Sequence, residues 1–486
     1  MNFSPFVIEN GVLVKCKSYL ASIVIPDGVV AIGEKAFHQL RMLKEVIIPE
    51  SVTSIGNEAF KWCESLEKIA FPDSVMSVGE RVLDNTKYYK NQKNWVKGSL
   101  YVGKCLVSRD TRSVYDIREG TRVIADSVFS GCATIKKITV PDSVVSIGAK
   151  AFWNCTSLES INIPPNVTRI GEKAFFNCGK LSSLNIPKGL TRIEDSVFQG
   201  CRSLRDIVIP DCVNYIGAYA FSGCKGFRSI TVPEGITRIS EGMFQACNWL
   251  REINIPKSVT SIGKNALEHC NWLKRFDIPY GVTTIEANTF CGCSKIKTID
   301  IPDTVTKIED YAFCECSEIT ELVIPESVTE LGEGVFGNCQ NLREVFFPEN
   351  VELSSKVFRN APDGVRFHLK YKQVSALECS GLVKSLCLVM LEVINEYYDS
   401  GAANMNALWR KYISKNGMKL IDTLPNEPYV YRYLADSGFI NPGNITKILE
   451  KTDNVECRSI IISSGSGGSN KGKTVEEIVY DRFKLD

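Results

Sequence analysis

The sequence predicts an α/β repeat solenoid, built of parallel strands and short helical turns, with a small all-α domain at its C-terminal end. Three observations predict it. Prolines recur at steps of 23 from Pro26 to Pro72 and again from Pro141 to Pro348, and Pro72 to Pro141 is itself three such steps. Each proline lies in one apolar frame, as in LESINIPPNVTRIGEKAFFNC and LREINIPKSVTSIGKNALEHC. Eleven of the nineteen cysteines, Cys63 and then Cys132 through Cys339, occupy a single position of that frame. A fixed period of this length is the mark of stacked units that cannot bury a core alone.

The unit reads L-x-x-I-x-I-P-x-x-V-T-x-I-G-x-x-A-F-x-x-C. Its L-x-x-I-x-I alternation is a strand with one buried face. Proline ends that strand because it has no N–H for the next ladder bond. V-T-x-I is a second short extended segment. The glycines, such as Gly56, Gly171 and Gly217, are expected to permit a tight reversal, and A-F-x-x-C is expected to be one helical turn that turns Phe and Cys inward. A buried thiol behaves as a small hydrophobe with a weak donor, so the cysteines read as a structural, reduced ladder rather than a disulfide framework.

Two places depart from the period. FVIENGVLVKC carries Asn10-Gly11 between apolar runs, a type I′ hairpin signal, and residues 1–19 read as an N-terminal hairpin cap. Around 84–117 two prolines are missing, with Arg118 and Trp95 at their places, and SLYVGKCLVSRD resembles the N-terminal hairpin. An irregular junction between two joined blocks is expected there, within one solenoid spanning 20–369. Residues 370–463 read as four or five helices, with a long candidate over VSALECSGLVKSLCLVMLEVINEYYDSG. Residues 464–474 read as a Gly/Ser linker and 475–486 as a short terminal helix.

Composition narrows the function. A net charge of +1 offers no global field for nucleic acid. No apolar run reaches the roughly 18–20 residues of a membrane span. The start lacks a basic segment followed by an apolar one, so the chain as written is expected in the cytoplasm, or at the cell surface or secreted if a leader has been trimmed. Gly467, Gly472, Lys473 and Thr474 satisfy the phosphate-loop pattern. No strand–helix–strand succession follows them to complete a nucleotide site, and the stretch reads as linker.

The LxxIxIPxxVTxIGxxAFxxC unit resembles the BspA-type (Treponema pallidum type) leucine-rich repeat family over residues of about 20–369. The resemblance implies a right-handed superhelix and a bacterial surface or interaction protein. Some members of that family bind host matrix proteins or other bacteria.

Catalytic chemistry finds no foothold. His38, His269 and His368 fall on well-separated units. Cys291, Cys293, Cys314 and Cys316 form two C-x-C pairs, but Cys293 and Cys316 belong to the inward position and their companions should diverge from them. No catalytic group, metal site or cofactor is expected. The shared surface carries more information. Five positions before successive prolines stand Arg205, Arg228, Arg251, Lys274 and Lys297. This is a column of like charges, to be neutralised by Asp206, Glu252, Asp277 and Asp300 or by an acidic or anionic ligand. Trp249 and Trp272 are equivalent residues of neighbouring units, as are Trp153 and Phe176 on another column. Stacked aromatics can anchor a protein or a sugar. The sequence thus points to a non-catalytic scaffold for a protein partner, with a carbohydrate- or cell-surface-binding module of the same fold as the alternative.

Overall fold

Parallel strand pairs recur in the computed structural model of the chain, which describes residues 5–110, 116–401 and 405–465. Successive coils pair in a register of 23. Ser160–Asn162 lies beside Lys137–Thr139 and Arg169–Ile170 beside Ser146–Ile147. Between the two strands of a coil the proline carbonyl closes a β-turn, with the Val144 N–H donating to Pro141 O (3.0 Å) and Val167 to Pro164 (3.1 Å). The chain divides into two compact units, Met1–Val305 and Thr306–Asp486.

In the first unit the N-terminal hairpin pairs Phe6–Glu9 with Val12–Cys16, and Asn10 and Gly11 both take positive φ at its turn. Its second strand pairs in parallel with Ala31–Ile32 and so starts the second-strand ladder. The junction repeats this device. Ser99–Val102 and Cys105–Arg109 form an antiparallel hairpin, and Cys105–Leu106 pairs in parallel with Val123–Ile124. The blocks on either side stay in contact: Asp126 N–H donates to Val78 O (2.9 Å), and Lys104 and Asp73 pair at 2.5 Å.

Two local expectations change. A-F-x-x-C is not a helical turn. Its N–H groups alternate between partners. Ala151, Trp153 and Cys155 donate three residues back within the coil, whereas Lys150, Phe152 and Asn154 donate to Glu172, Ala174 and Phe176 of the next coil. Left-handed residues at Lys150 (φ 54°) and Asn154 (φ 56°) make the alternation possible. This segment is a third inter-coil ladder, which a helix could not be, because helical N–H groups are spent within the helix.

The glycines, in turn, do not serve a reversal. A Cβ at Gly56 would lie 2.6 Å from Glu34 N, and one at Gly217 would lie 2.7 Å from Asp195 N. They are needed because neighbouring backbones approach too closely for a side chain. Each donates its N–H to the isoleucine carbonyl of the coil before, as Gly171 does to Ile147 (2.9 Å). Where Glu194 and Ser240 take the glycine's place, the second-strand ladder is interrupted, between Ile170 and Ile193 and between Ile216 and Ile239. Where Glu286 does, the pairing shrinks to Ile262 with Ile285.

The core lies between the ladders. Phe129, Phe152, Phe175, Phe198, Phe221 and Phe244 are buried and stack at 5.1–5.9 Å between ring centroids.

In the second unit the strand ladder ends at Arg366–His368, paired with Glu344–Phe346. The buried Gln373 follows, and its Nε2 donates to Pro348 O (3.0 Å) and Val351 O (3.1 Å), supplying the donors that a further coil would have brought. Seven helices follow among the described residues, not four or five: Val374–Ser380, Val383–Asp399, Ala407–Lys415, Gly417–Thr423, Pro428–Asp436, Ile445–Leu449 and Val455–Gly465. The single long candidate is broken at Gly381, whose φ of 81° caps the first helix. Helix extends to Gly465, across the start of the expected linker. The rest of that linker, the terminal-helix candidate and the phosphate-loop residues Gly467, Gly472, Lys473 and Thr474 lie outside the described residues. The segment leading to them is helix Val455–Gly465 rather than the strand that delivers a phosphate loop.

Candidate partner-binding surface

The inside of the first unit is chemically quiet. The thiol of each coil donates to the carbonyl of the inward residue one coil earlier, Cys178 to Phe152 (3.1 Å), Cys224 to Phe198 (3.2 Å) and Cys293 to Leu267 (3.2 Å). That carbonyl also accepts a backbone N–H of its own coil, as Phe198 O does from Cys201. Burial pushes the Cys201, Cys247 and Cys293 thiols up to about 12. They stay protonated and unreactive, since the thiolate is the nucleophile and metal ligand. Cys291, in this unit, and Cys314, in the second, are buried thiols too. No group of three or more His, Cys, Asp or Glu among the described residues could hold a metal ion.

The histidines differ from one another. His38 is half-buried and His269 exposed. His368 is half-buried: its ring stacks on Phe346 at 3.9 Å and its Nδ1 meets Glu392 Oε1 at 2.6 Å.

The rim of the same coils is different. Arg205, Arg228, Lys274 and Lys297 are exposed and Arg251 is half-buried. None of the five forms an ion pair among the described residues, so the expected neutralising network is absent. Asp277 pairs instead with Arg275, at 2.8 Å. Parity explains the miss. In an extended segment residues two apart share a face, as Arg275 and Asp277 do, whereas those one or three apart point to opposite faces. Asp206, Glu252, Asp277 and Asp300 stand at odd separations from the cations they were expected to neutralise.

Trp249 and Trp272 stack at 5.6 Å with their planes 6° apart, and they are 50% and 37% exposed. An asparagine pair on the adjoining turn holds their coils in step: Asn248 Nδ2 donates to Asn271 Oδ1 (2.6 Å), and Asn271 Nδ2 to Gly292 O (3.1 Å). Arg251 rests over Trp272, with Cζ 5.5 Å from the ring centroid, and its buried Nε has no hydrogen-bond partner. Trp153 and Phe176 stack more loosely, at 6.2 Å, and are half-buried on another column, apart from this group.

The structure adds residues that pattern reading passed over. A pocket of about 320 Å³ is lined by Arg202, Ser203, Arg205, Lys225, Gly226, Arg228 and Trp249. Arg202 and Lys225 directly follow the ladder cysteines Cys201 and Cys224, so a basic residue one place after cysteine on two successive coils was the available signal. Four cations and one indole thus face a single depression with no carboxylate on its wall.

The model of the BspA type leucine rich repeat region matches residues 7–95, 122–251 and 237–363, in six copies. Among solved structures, a leucine-rich repeat protein from Bacteroides ovatus is 26% identical, covering 75% of this chain and 97% of that one at a TM-score of 0.45. A leucine rich cell surface protein from Faecalibacterium prausnitzii is 25% identical, covering 70% and 92% at 0.36. The leucine rich repeat protein of T. pallidum is 24% identical, covering 46% and 86% at 0.21. The comparison with curated proteins gives no match. No helix among the described residues is long and apolar enough to cross a membrane.

Proposed function

Because the chain belongs to the BspA-type leucine-rich repeat family, we propose that it is a non-catalytic scaffold that binds an acidic segment of a protein partner on its shared strand surface. The observation that carries this is the run Arg205, Arg228, Arg251, Lys274 and Lys297, one cation per coil with no ion pair for any of them among the described residues. Like charges at the coil spacing of about 4.8 Å repel by roughly 1 kcal/mol per pair in water. A partner that brings carboxylates removes that repulsion and gains charge-assisted hydrogen bonds. Trp249 and Trp272 supply the aromatic anchors typical of binding hot spots. A protein is favoured over a neutral glycan because the two indoles spend a face on each other, leaving little open ring for a sugar track.

Fluorescently labelled poly-glutamate, titrated into the full chain at low and high salt, tests this. We expect binding that weakens with salt and falls at least tenfold in the double variant Arg228→Glu, Arg251→Glu, with a melting temperature no lower than that of the unsubstituted chain. Binding indifferent to the charge reversal, or found only for neutral glycans on an array, would refute it.

A further inference from the structure

Trp249 ends an aromatic stack on one side only. Trp272 covers the face toward the following coil, and the pocket opens over the preceding coils, where the equivalent positions are Gly226 and Ser203. Gly226 cannot carry a side chain there, because a Cβ would run into the Leu204 carbonyl carbon at 3.0 Å and its oxygen closer still. The backbone therefore keeps the space beside Trp249 empty. It is an open slot beside the indole, with Arg202, Arg205, Lys225 and Arg228 around it.

We infer that this slot takes an aryl oxyanion, a tyrosine phosphate or sulfate of the partner, whose ring continues the Trp249–Trp272 stack while its oxygens meet the surrounding cations. The inference rests on the protein-binding reading above and specifies the partner's anchor. Ring and charge converge in one pocket, so the ligand must carry both within the span of a single side chain. A carboxylate presents two acceptor oxygens and suits one arginine fork. A phosphoryl or sulfuryl group presents three and can engage several donors together. Aromatic partners prefer offset stacking at about 4.5–7 Å between centroids, which is the spacing already set within the tryptophan pair. The half-buried Arg251 rests over Trp272 and adds a cation beside the stack that forms no ion pair among the described residues.

The test uses the full chain and four glycine-flanked peptides that differ only at the centre: phosphotyrosine, sulfotyrosine, tyrosine and phosphoserine. Affinity is read by calorimetry and by quenching of tryptophan fluorescence. We expect phosphotyrosine or sulfotyrosine to bind at least tenfold tighter than either tyrosine or phosphoserine, and the tighter of the two identifies the anion. Trp249→Ala should reduce that peptide to the phosphoserine level without changing phosphoserine binding, and Trp153→Ala should leave all four unchanged. A phosphotyrosine or sulfotyrosine peptide no better than phosphoserine, or one unaffected by Trp249→Ala in a normally folded variant, overturns the inference. If poly-glutamate then still binds in a charge-dependent way, the acidic-partner proposal stands and only the aryl anchor is lost; if it does not, both are lost.

Discussion

The inward and outward columns of the same coils obey opposite rules. Inside, repetition of one residue satisfies itself: Phe221 stacks on Phe198 and Phe244, and the Cys224 thiol donates to the Phe198 carbonyl of the previous coil. Outside, repetition of a cation satisfies nothing, because Arg228 has only other cations above and below it and its acidic neighbours face away. A column of identical apolar groups stabilises a stack wherever it runs. A column of identical charges is tolerable only in water or against a ligand. The surface column is therefore where the fold leaves a deficit for a partner to fill.

The sharpest way to test the inner rule is to remove one ring. Phe221→Ala deletes a fully buried side chain between two stacked neighbours and should cost about 3–5 kcal/mol, measured by denaturant unfolding. Because adjacent coils share their core, those next to Phe221 should lose amide-exchange protection together. Gly217→Ala comes next. The added methyl would sit against Asp195 N, so the backbones must separate, at about 1–3 kcal/mol. If it were neutral, close backbone approach would not be what selects glycine here, and the ladder break at Glu194 would need another cause.

Much of this was legible in sequence, and the failures share a cause. Period, strand positions, both hairpins and the buried thiol column follow from the identity and spacing of side chains in residues 6–348. What could not be read were properties of backbone between coils. The alternating donors of Lys150, Phe152 and Asn154 leave no residue signature beyond Asn154, a residue that tolerates the left-handed region. The glycine column looks the same whether it serves a turn or a close approach. For the surface, the column Arg205–Lys297 was visible, but its freedom from ion pairs depended on strand parity. The pocket itself depended on Gly226, a residue that signals by having no side chain.

The thiol column gives a finer comparison, because its donor length can be changed while its size is nearly kept. Cys224 donates to Phe198 O at 3.2 Å, a separation suited to sulfur. Cys224→Ala loses that weak bond and a little volume, whereas the carbonyl keeps its bond from Cys201 N; the expected cost is about 1 kcal/mol. Cys224→Ser is closer in shape but has a shorter C–O bond, which leaves its hydroxyl short of the carbonyl in a dry interior, where an unsatisfied group costs about 1–3 kcal/mol. Thermal melts should therefore rank serine below alanine. The reverse order would mean that the column is held by hydrogen bonding strong enough to draw the coils together, rather than by sulfur filling space.

The smallest effect tests the outer rule directly. If the surface cations only repel one another in the unbound chain, Arg228→Gln should stabilise it, by about 0.2–1 kcal/mol at low salt, the range of exposed charge interactions. The gain should vanish near 1 M salt, where screening acts within about 3 Å. Arg275→Gln, which breaks the exposed pair with Asp277, should show the opposite sign under the same conditions. Two arginines on one rim, one stabilising by its removal and the other destabilising, would separate a charge kept for a partner from a charge kept for the fold. If both destabilise alike, Arg228 is already neutralised within the chain, and the surface has no deficit to offer.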